Sequence, residues 1–249
     1  MAASRYCVTV DSDSNTEHRR RPLEKLVYLL GRSHGVSAAA FSPVLIGAVP
    51  ALRAIGAKRI DLLVADLNDP VREACPARIA GPWDDLAGVA QFWLDNVDRR
   101  SDAETVLAAV AGRLDGYLVT ESVVQPYVRD WQEGTRRPGV NQFTAHAKPE
   151  GVSDEDFYHH WQAEHSRISF DLHPLRWSYI RHAVARPLTA GAPPYRAIVS
   201  EHFRELRDFT DESRYFGLPD VVQQMYADLP HFCDHTRMVT GPMSEFNFD

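Results

Sequence analysis

The sequence predicts an α+β fold built from two halves with one outline, and three observations lead there. LVYLLGRSHGVSAAAFSPVLIGAVPAL, starting at Leu26, and FTAHAKPEGVSDEDFYHHWQAEHSRIS, starting at Phe143, each read as an apolar strand, a polar turn ending in GVS, and a helix. The offset that lays Gly35 on Gly151 also lays Phe41 on Phe157, Leu45 on Trp161 and Val49 on His165. The elements that follow each stretch come in the same order, and 249 residues with 44% hydrophobic and 24% charged side chains are enough for two cored units of about 120 residues.

The elements justify themselves in turn. In the first half, KRIDLLVADL and AGVAQFWLDNV are strand-like, SDAETVLAAVAG is a helix opened by Ser101 with Glu104 at the capping-box position, and RLDGYLVTESVV is strand-like. In the second half the same slots hold LRWSYIRHAV, YRAIVSEHFREL, the helical LPDVVQQMYADLPHF, and TRMVTGPMSEF. DLNDPVREACPARIAGPWDD and ARPLTAGAPPYR read as long loops between strands two and three, where the rim of a binding site is often built.

Each half therefore runs strand, helix, strand, strand, helix, strand, the split βαβ order of a ferredoxin-like unit. Such a unit covers one sheet face with helices and leaves the other bare. Two ferredoxin-like βαββαβ halves in one chain bury those faces on each other as an intramolecular dimeric α+β barrel. The expected division is a polar tail over 1–22, a first half over 23–125, a linker over 126–140 and a second half over 141–249.

Charge and cysteine usage narrow the function. A net charge of −7 offers no electrostatic footprint for nucleic acid, and Arg19-Arg20-Arg21 lies among acidic residues in the tail. Cys7, Cys75 and Cys233 are scattered, which argues against a disulfide framework or a zinc finger. No secretory h-region opens the chain and no run of 18 apolar residues occurs, so a cytoplasmic protein without membrane partners is expected, as a monomer or homodimer. No GxSxG, GxGxxG or P-loop is present, and no cofactor is expected.

The chemistry concentrates in DFYHHWQAEHSRIS. Ser153 can cap this helix, and Asp154, Glu155 and Asp156 suit its positive end. Phe157, Trp161 and His165 recur every four residues and face the sheet, whereas His159 belongs on the opposite side and His160 near its edge. His182 in strand two and Glu201 and His202 in strand three are polar groups in otherwise apolar segments, where an unpaired buried group costs a few kcal/mol. Alternation sorts these into two competing partner sets for His165: His182 with His202, or Tyr179 with Glu201. His165, His182, Glu201 and His202 are the catalytic candidates, and Phe157, Tyr158, Trp161 and Tyr179 the substrate-binding ones. His231 and His235, four apart in HFCDH, could share a helical face, while His160 and His165, five apart, have the wrong phase; no metal is expected.

The second half, from Gln142 to Phe246, resembles the EthD-like family of dimeric α+β barrel proteins in KPEGVSDEDFYHHWQAEHSRIS, YIRHAV and APPYRAIVSEHF. The first half departs from the pattern, with Leu45 and Val49 where the second has Trp161 and His165, and looks like a degenerate copy. The resemblance implies a cavity for hydrophobic, aromatic or polyketide-like molecules, in a fold group that includes isomerases, dehydratases, decarboxylases, cyclases and heme-dependent enzymes. With nine of the eleven histidines from His146 onward, the expected function is a cofactor-independent lyase or isomerase that acts on a hydrophobic, aromatic or polyketide-like small molecule by His165-mediated proton transfer, in dehydration, decarboxylation or retro-aldol-type cleavage. A heme-dependent oxidative enzyme and a non-catalytic binding protein are the alternatives.

Overall fold

Strand alternation decides the architecture. In the computed structural model, which describes residues 24–33, 36–66 and 68–249, eight strands form: β1 (Glu24–Gly31), β2 (Lys58–Val64), β3 (Leu86–Leu94), β4 (Arg113–Gln125), β5 (Val140–Ala147), β6 (Arg176–Pro187), β7 (Ala197–Phe203) and β8 (Asp234–Phe248). The tail expected over 1–22, with Cys7 and the Arg19 to Arg21 run, and Gly35 of the first GVS lie outside the described residues. All neighbouring strands pair antiparallel in one closed barrel of order β1-β3-β2-β8-β5-β7-β6-β4. The first four strands are contiguous in this ring, as are the last four, and β2–β8 and β4–β6 close the two seams. Closure leaves no unpaired edge.

One side-chain set of each strand fills the lumen and the other meets helices. Val27, Leu29, Leu63, Val89, Phe143 and Ile198 pack inside the barrel. Leu26, Tyr28 and Leu30, offset by one residue, point outward against α1 (Ala38–Gly47) and α2 (Val49–Ala54), where Phe41, Leu45 and Leu52 are fully buried. Burying a side chain such as Leu45 contributes about 1.5–3 kcal/mol. Pro50 in the first turn of α2 separates the two helices, so the helix expected to run through Val49 is broken there.

Two expectations are corrected locally. The helix expected to open at Ser101 is α4 (Arg100–Ala108), which follows a 3-10 turn over Val97–Arg99 capped by Asn96, whose side chain accepts the Asp98 N–H at 2.9 Å. Glu104 accepts from the Tyr28 hydroxyl at 3.0 Å instead of closing a capping box. The segment read as a long loop before β3 contains α3 (Asn68–Ala74) and 3-10 turns at Pro76–Arg78 and Trp83–Asp85.

The second half carries its longest helix as three joined pieces: α5 (Asp154–His159), a π-helical turn over His160–His165, and α6 (Ser166–Leu172). Ser153 Oγ accepts the Asp156 N–H at 3.0 Å, and the acidic first turn faces the positive end of the dipole. Three further helices, α7 (Leu206–Thr210), α8 (Glu212–Tyr215) and α9 (Pro219–Asp228), precede β8. Among the described residues, no helix is long and apolar enough to cross a membrane.

One end of the lumen is polar and is closed by residues 126–139. Gly139, at φ +98°, turns this connection into β5 where a Cβ would lie 1.9 Å from the Phe203 carbonyl oxygen. The buried Arg137 guanidinium stacks on Tyr127 (4.0 Å) and Trp177 (4.5 Å) and donates to both carboxylate oxygens of Glu245, at 3.0 and 3.1 Å. Lys25 pairs with Glu121 at 2.9 Å and with Asp61 at 3.6 Å, and Asn247 donates to both Asp61 (2.8 Å) and Glu245 (2.9 Å), so one buried network joins strands from both halves of the ring.

Candidate functional site

The two halves differ in what lies between helix and sheet. In the first, Phe41, Leu45 and Val49 fill that space against Leu26 and Tyr28. In the second, the helix from Asp154 to Leu172 and the outer face of β5–β8 enclose a cavity of about 630 Å³. Trp161 and His165 line it from the helix, and Thr144, Tyr179 and Glu201 from the sheet. Tyr215, Met225 and Phe232 close it from the segments before β8, and one wall comes from the other half: Cys75, Pro76 and Arg78 cross the β2–β8 seam, pinned by backbone pairing of Ala80 with Thr240 at 3.0 and 3.1 Å. The Arg78 guanidinium sits 3.6 Å from the centre of the Tyr215 ring, a cation–π contact that fastens this wall.

His165 is held by a residue that spacing did not point to. Its Nδ1 lies 2.8 Å from Oδ2 of Asp228, at the end of α9, and His160 Nε2 bonds the other oxygen. A carboxylate only accepts, so Nδ1 of His165 is the donor, and in the neutral imidazole the lone pair is then on Nε2. Burial pushes the Asp228 carboxyl up, but the hydrogen bonds from His165 and His160 outweigh this and hold it below the ordinary range. The π turn makes the arrangement possible. With i→i+5 closure, residues five apart lie on one face, so the phase that separates His160 from His165 in an α-helix is cancelled. His159 stays exposed.

Two more imidazoles line the cavity in the same way. His146 Nδ1 donates to the Ala147 carbonyl at 3.2 Å and His173 Nδ1 to the Tyr215 carbonyl at 3.0 Å, which leaves Nε2 bare on each. Burial lowers both to about 4, so both are neutral at pH 7. Burial likewise pushes Glu201 up, but its ion pair with Arg176 prevails and keeps the carboxylate ionised. Arg176 also donates to Ser169 Oγ and stacks 4.2 Å over the Tyr179 ring, whose hydroxyl burial raises to about 12.

The predicted residues thus separate. His165, Trp161, Tyr179 and Glu201 meet in the cavity. His182 and His202 lie on the opposite sheet face, inside the barrel, and the structure does not bring them to His165: His182 Nε2 is 3.3 Å from Glu121, and His202 Nδ1 is 3.0 Å from Glu245. Phe157 is buried behind Trp161, and Tyr158 donates to the Val184 carbonyl at 3.2 Å; neither lines the cavity. The shared helical face considered for His231 and His235 does not exist, because His231 ends a 3-10 turn and β8 begins at Asp234. Among the described residues no group of three His, Cys, Asp or Glu side chains is placed to hold a metal ion. Nothing in the local sequence singles out Asp228, His146, His173 or Arg78. Asp228 needed knowledge of the π turn, and Arg78 of a contact across the seam.

No family model matches the chain, and no curated protein matches it by sequence. Among solved structures, an anthrone oxidase-like protein superposes with a TM-score of 0.58 at 8% identity, over 91% of this chain and 94% of that one. A structure from Fusobacterium nucleatum subsp. nucleatum whose name proposes a monooxygenase gives 0.50 at 9%, over 91% and 92%. At such identity the likeness is one of fold alone. The names nonetheless overturn the expectation of a cofactor-independent lyase or isomerase: these barrels are named for oxidation, not for dehydration, decarboxylation or retro-aldol cleavage.

Proposed function

We propose that the second-half cavity oxidises an electron-rich aromatic molecule of the anthrone type with molecular oxygen, with His165 as the general base. The observation that carries this reading is the 2.8 Å bond from His165 Nδ1 to Asp228, which leaves Nε2 bare on a residue that lines a cavity walled by aromatic rings. An anthrone has a methylene made acidic by its flanking rings and carbonyl. His165 removes one hydrogen as a proton, the resulting enolate supplies the electrons that reduce oxygen, and a carbon–oxygen bond forms. Loss of water then gives the quinone: one oxygen atom enters the product, and the other leaves as water with the two hydrogens of the reacting carbon. A well-placed base contributes about 10²–10⁴-fold in rate. Trp161 and Tyr179 supply the ring faces on which the substrate stacks, and Glu201, fixed by Arg176, accepts from its hydroxyl groups.

This reading includes a division of the chain into two ferredoxin-like halves, over 23–125 and 141–249 with a linker over 126–140, in which the first half gave up its cavity and the EthD-like second half kept one. The ring order and the packed Phe41, Leu45 and Val49 support it.

Oxygen uptake with anthrone tests the function. The wild-type protein consumes oxygen and forms anthraquinone, and His165→Gln lowers the rate by about 10²–10⁴-fold. Anthrone that raises the melting temperature without oxygen uptake would make this a binding protein, and a Soret band in the purified protein would assign the oxidation to heme.

A further inference from the structure

We propose that His160 is a positioning residue of this site: it holds the Asp228 carboxylate by one oxygen so that the other is presented to His165. The proposal rests on the reading of His165 as the base, and names the device that keeps that base in its working tautomer. Three features of the helix converge on it. The π turn is confined to His160–His165, the segment whose two ends are these imidazoles. Both rings reach the same carboxylate, His165 at Oδ2 and His160 at Oδ1, and neither could do so together with the other in an uninterrupted α-helix, where residues five apart diverge. The outer ring is itself braced, since the His231 ring centre lies 4.9 Å from that of His160, and the Phe232 ring packs against both imidazoles, 5.9 Å from His160 and 4.4 Å from His165 between ring centres.

The physical consequence follows from the number of donors. Asp228 closes α9, and a carboxylate there with one donor can rotate about its Cβ–Cγ bond and meet His165 with either oxygen or neither. A second donor on the far oxygen removes that freedom. His165 is then left with one partner geometry, Nδ1–H to Oδ2, and its Nε2 lone pair is directed away from Asp228. His160 reaches the reaction only through Asp228, since its ring does not line the cavity.

The test reads the hydrogen bond directly. In ¹⁵N-histidine-labelled protein, the His165 Nδ1–H gives a low-field proton resonance, assigned by its loss in His165→Gln. It is expected to persist in His160→Gln, whose side-chain amide still donates to Asp228, and to broaden beyond detection in His160→Ala. With anthrone as the probe, His160→Ala is expected to lower kcat about tenfold with KM within about twofold, and His160→Gln to restore most of the loss. A resonance equally sharp in His160→Ala, or one lost equally in the Gln and Ala variants, overturns the proposal. The two readings fail separately: full turnover by His165→Gln removes the base and leaves the NMR result standing, whereas an unaffected resonance in His160→Ala removes the positioning role whatever the turnover shows.

Discussion

Replacing Glu245 by Gln keeps its shape and removes the charge at the centre of the lumen network. In the native protein this carboxylate accepts from Arg137 twice, from Asn141 at 2.7 Å, from Asn247 and from His202, all of them donors. Burial pushes its carboxyl up, but Arg137 and His202 prevail and hold it well below the carboxylate range. The variant leaves the Arg137 guanidinium, about 1% exposed, without its counter-charge and turns an amide donor toward donors. Removing one partner of a buried pair costs about 3–5 kcal/mol. For a chain of this size each kcal/mol moves the midpoint by roughly 2–4 °C, so thermal unfolding followed by circular dichroism should show a drop of about 6–20 °C. A second substitution, Arg137→Met, should recover more than half of that drop by removing the stranded charge. A single variant melting within about 2 °C of wild type, or a double variant whose losses simply add, would refute the view that this ion pair ties the barrel end together.

Other outcomes follow from the same structure. His146 and His173 sit at about 4 against an ordinary value near 6.5, so between these limits the folded protein binds fewer protons than the unfolded chain. Stability is therefore complete above about pH 6.5, declines by roughly 2 kcal/mol per histidine by pH 5, and levels off below about pH 4; urea midpoints at pH 7.5, 6 and 5 check this, and equal midpoints would contradict it. Deleting the exposed Ala163 should convert the π turn into α-helix, change stability by no more than about 1 kcal/mol, and leave the two imidazoles four apart on one helical face; the expected reading is a urea midpoint near wild type with the His165 Nδ1–H resonance retained, and loss of that resonance would contradict it. Arg78→Ala should loosen the wall supplied from across the seam, and isothermal titration with anthrone should show affinity reduced by about two- to thirtyfold, in line with about 0.5–2 kcal/mol for the lost cation–π contact.

The strands and the main helix were legible because their signals are local. Ser153, the acidic first turn and the Phe157–Trp161 stripe act over one or two turns, and alternation in β6 and β7 separated Tyr179 with Glu201 from His182 with His202. Which set met the helix was not legible, because a sheet with helices outside and a lumen inside buries both of its faces. Asp228 stayed hidden for a sharper reason: the four-residue phase that puts His165 beside Trp161 is the rule that sets His160 apart from it, and the π turn suspends that rule over six residues. Lys25, Asp61, Glu121 and Glu245 lie far apart in the sequence with no local signal that joins them, and only closure of the ring shows that they share a lumen.

The most direct measurement of the central claim is made without oxygen. Anthrone mixed anaerobically with the protein at pH 7 is expected to develop the absorbance of its enolate, because His165 Nε2 takes the proton and no oxidant follows. His165→Gln and Asp228→Asn are expected to bind anthrone and leave its spectrum unchanged. Enolate formation of equal extent and rate in wild type and in His165→Gln would contradict the account.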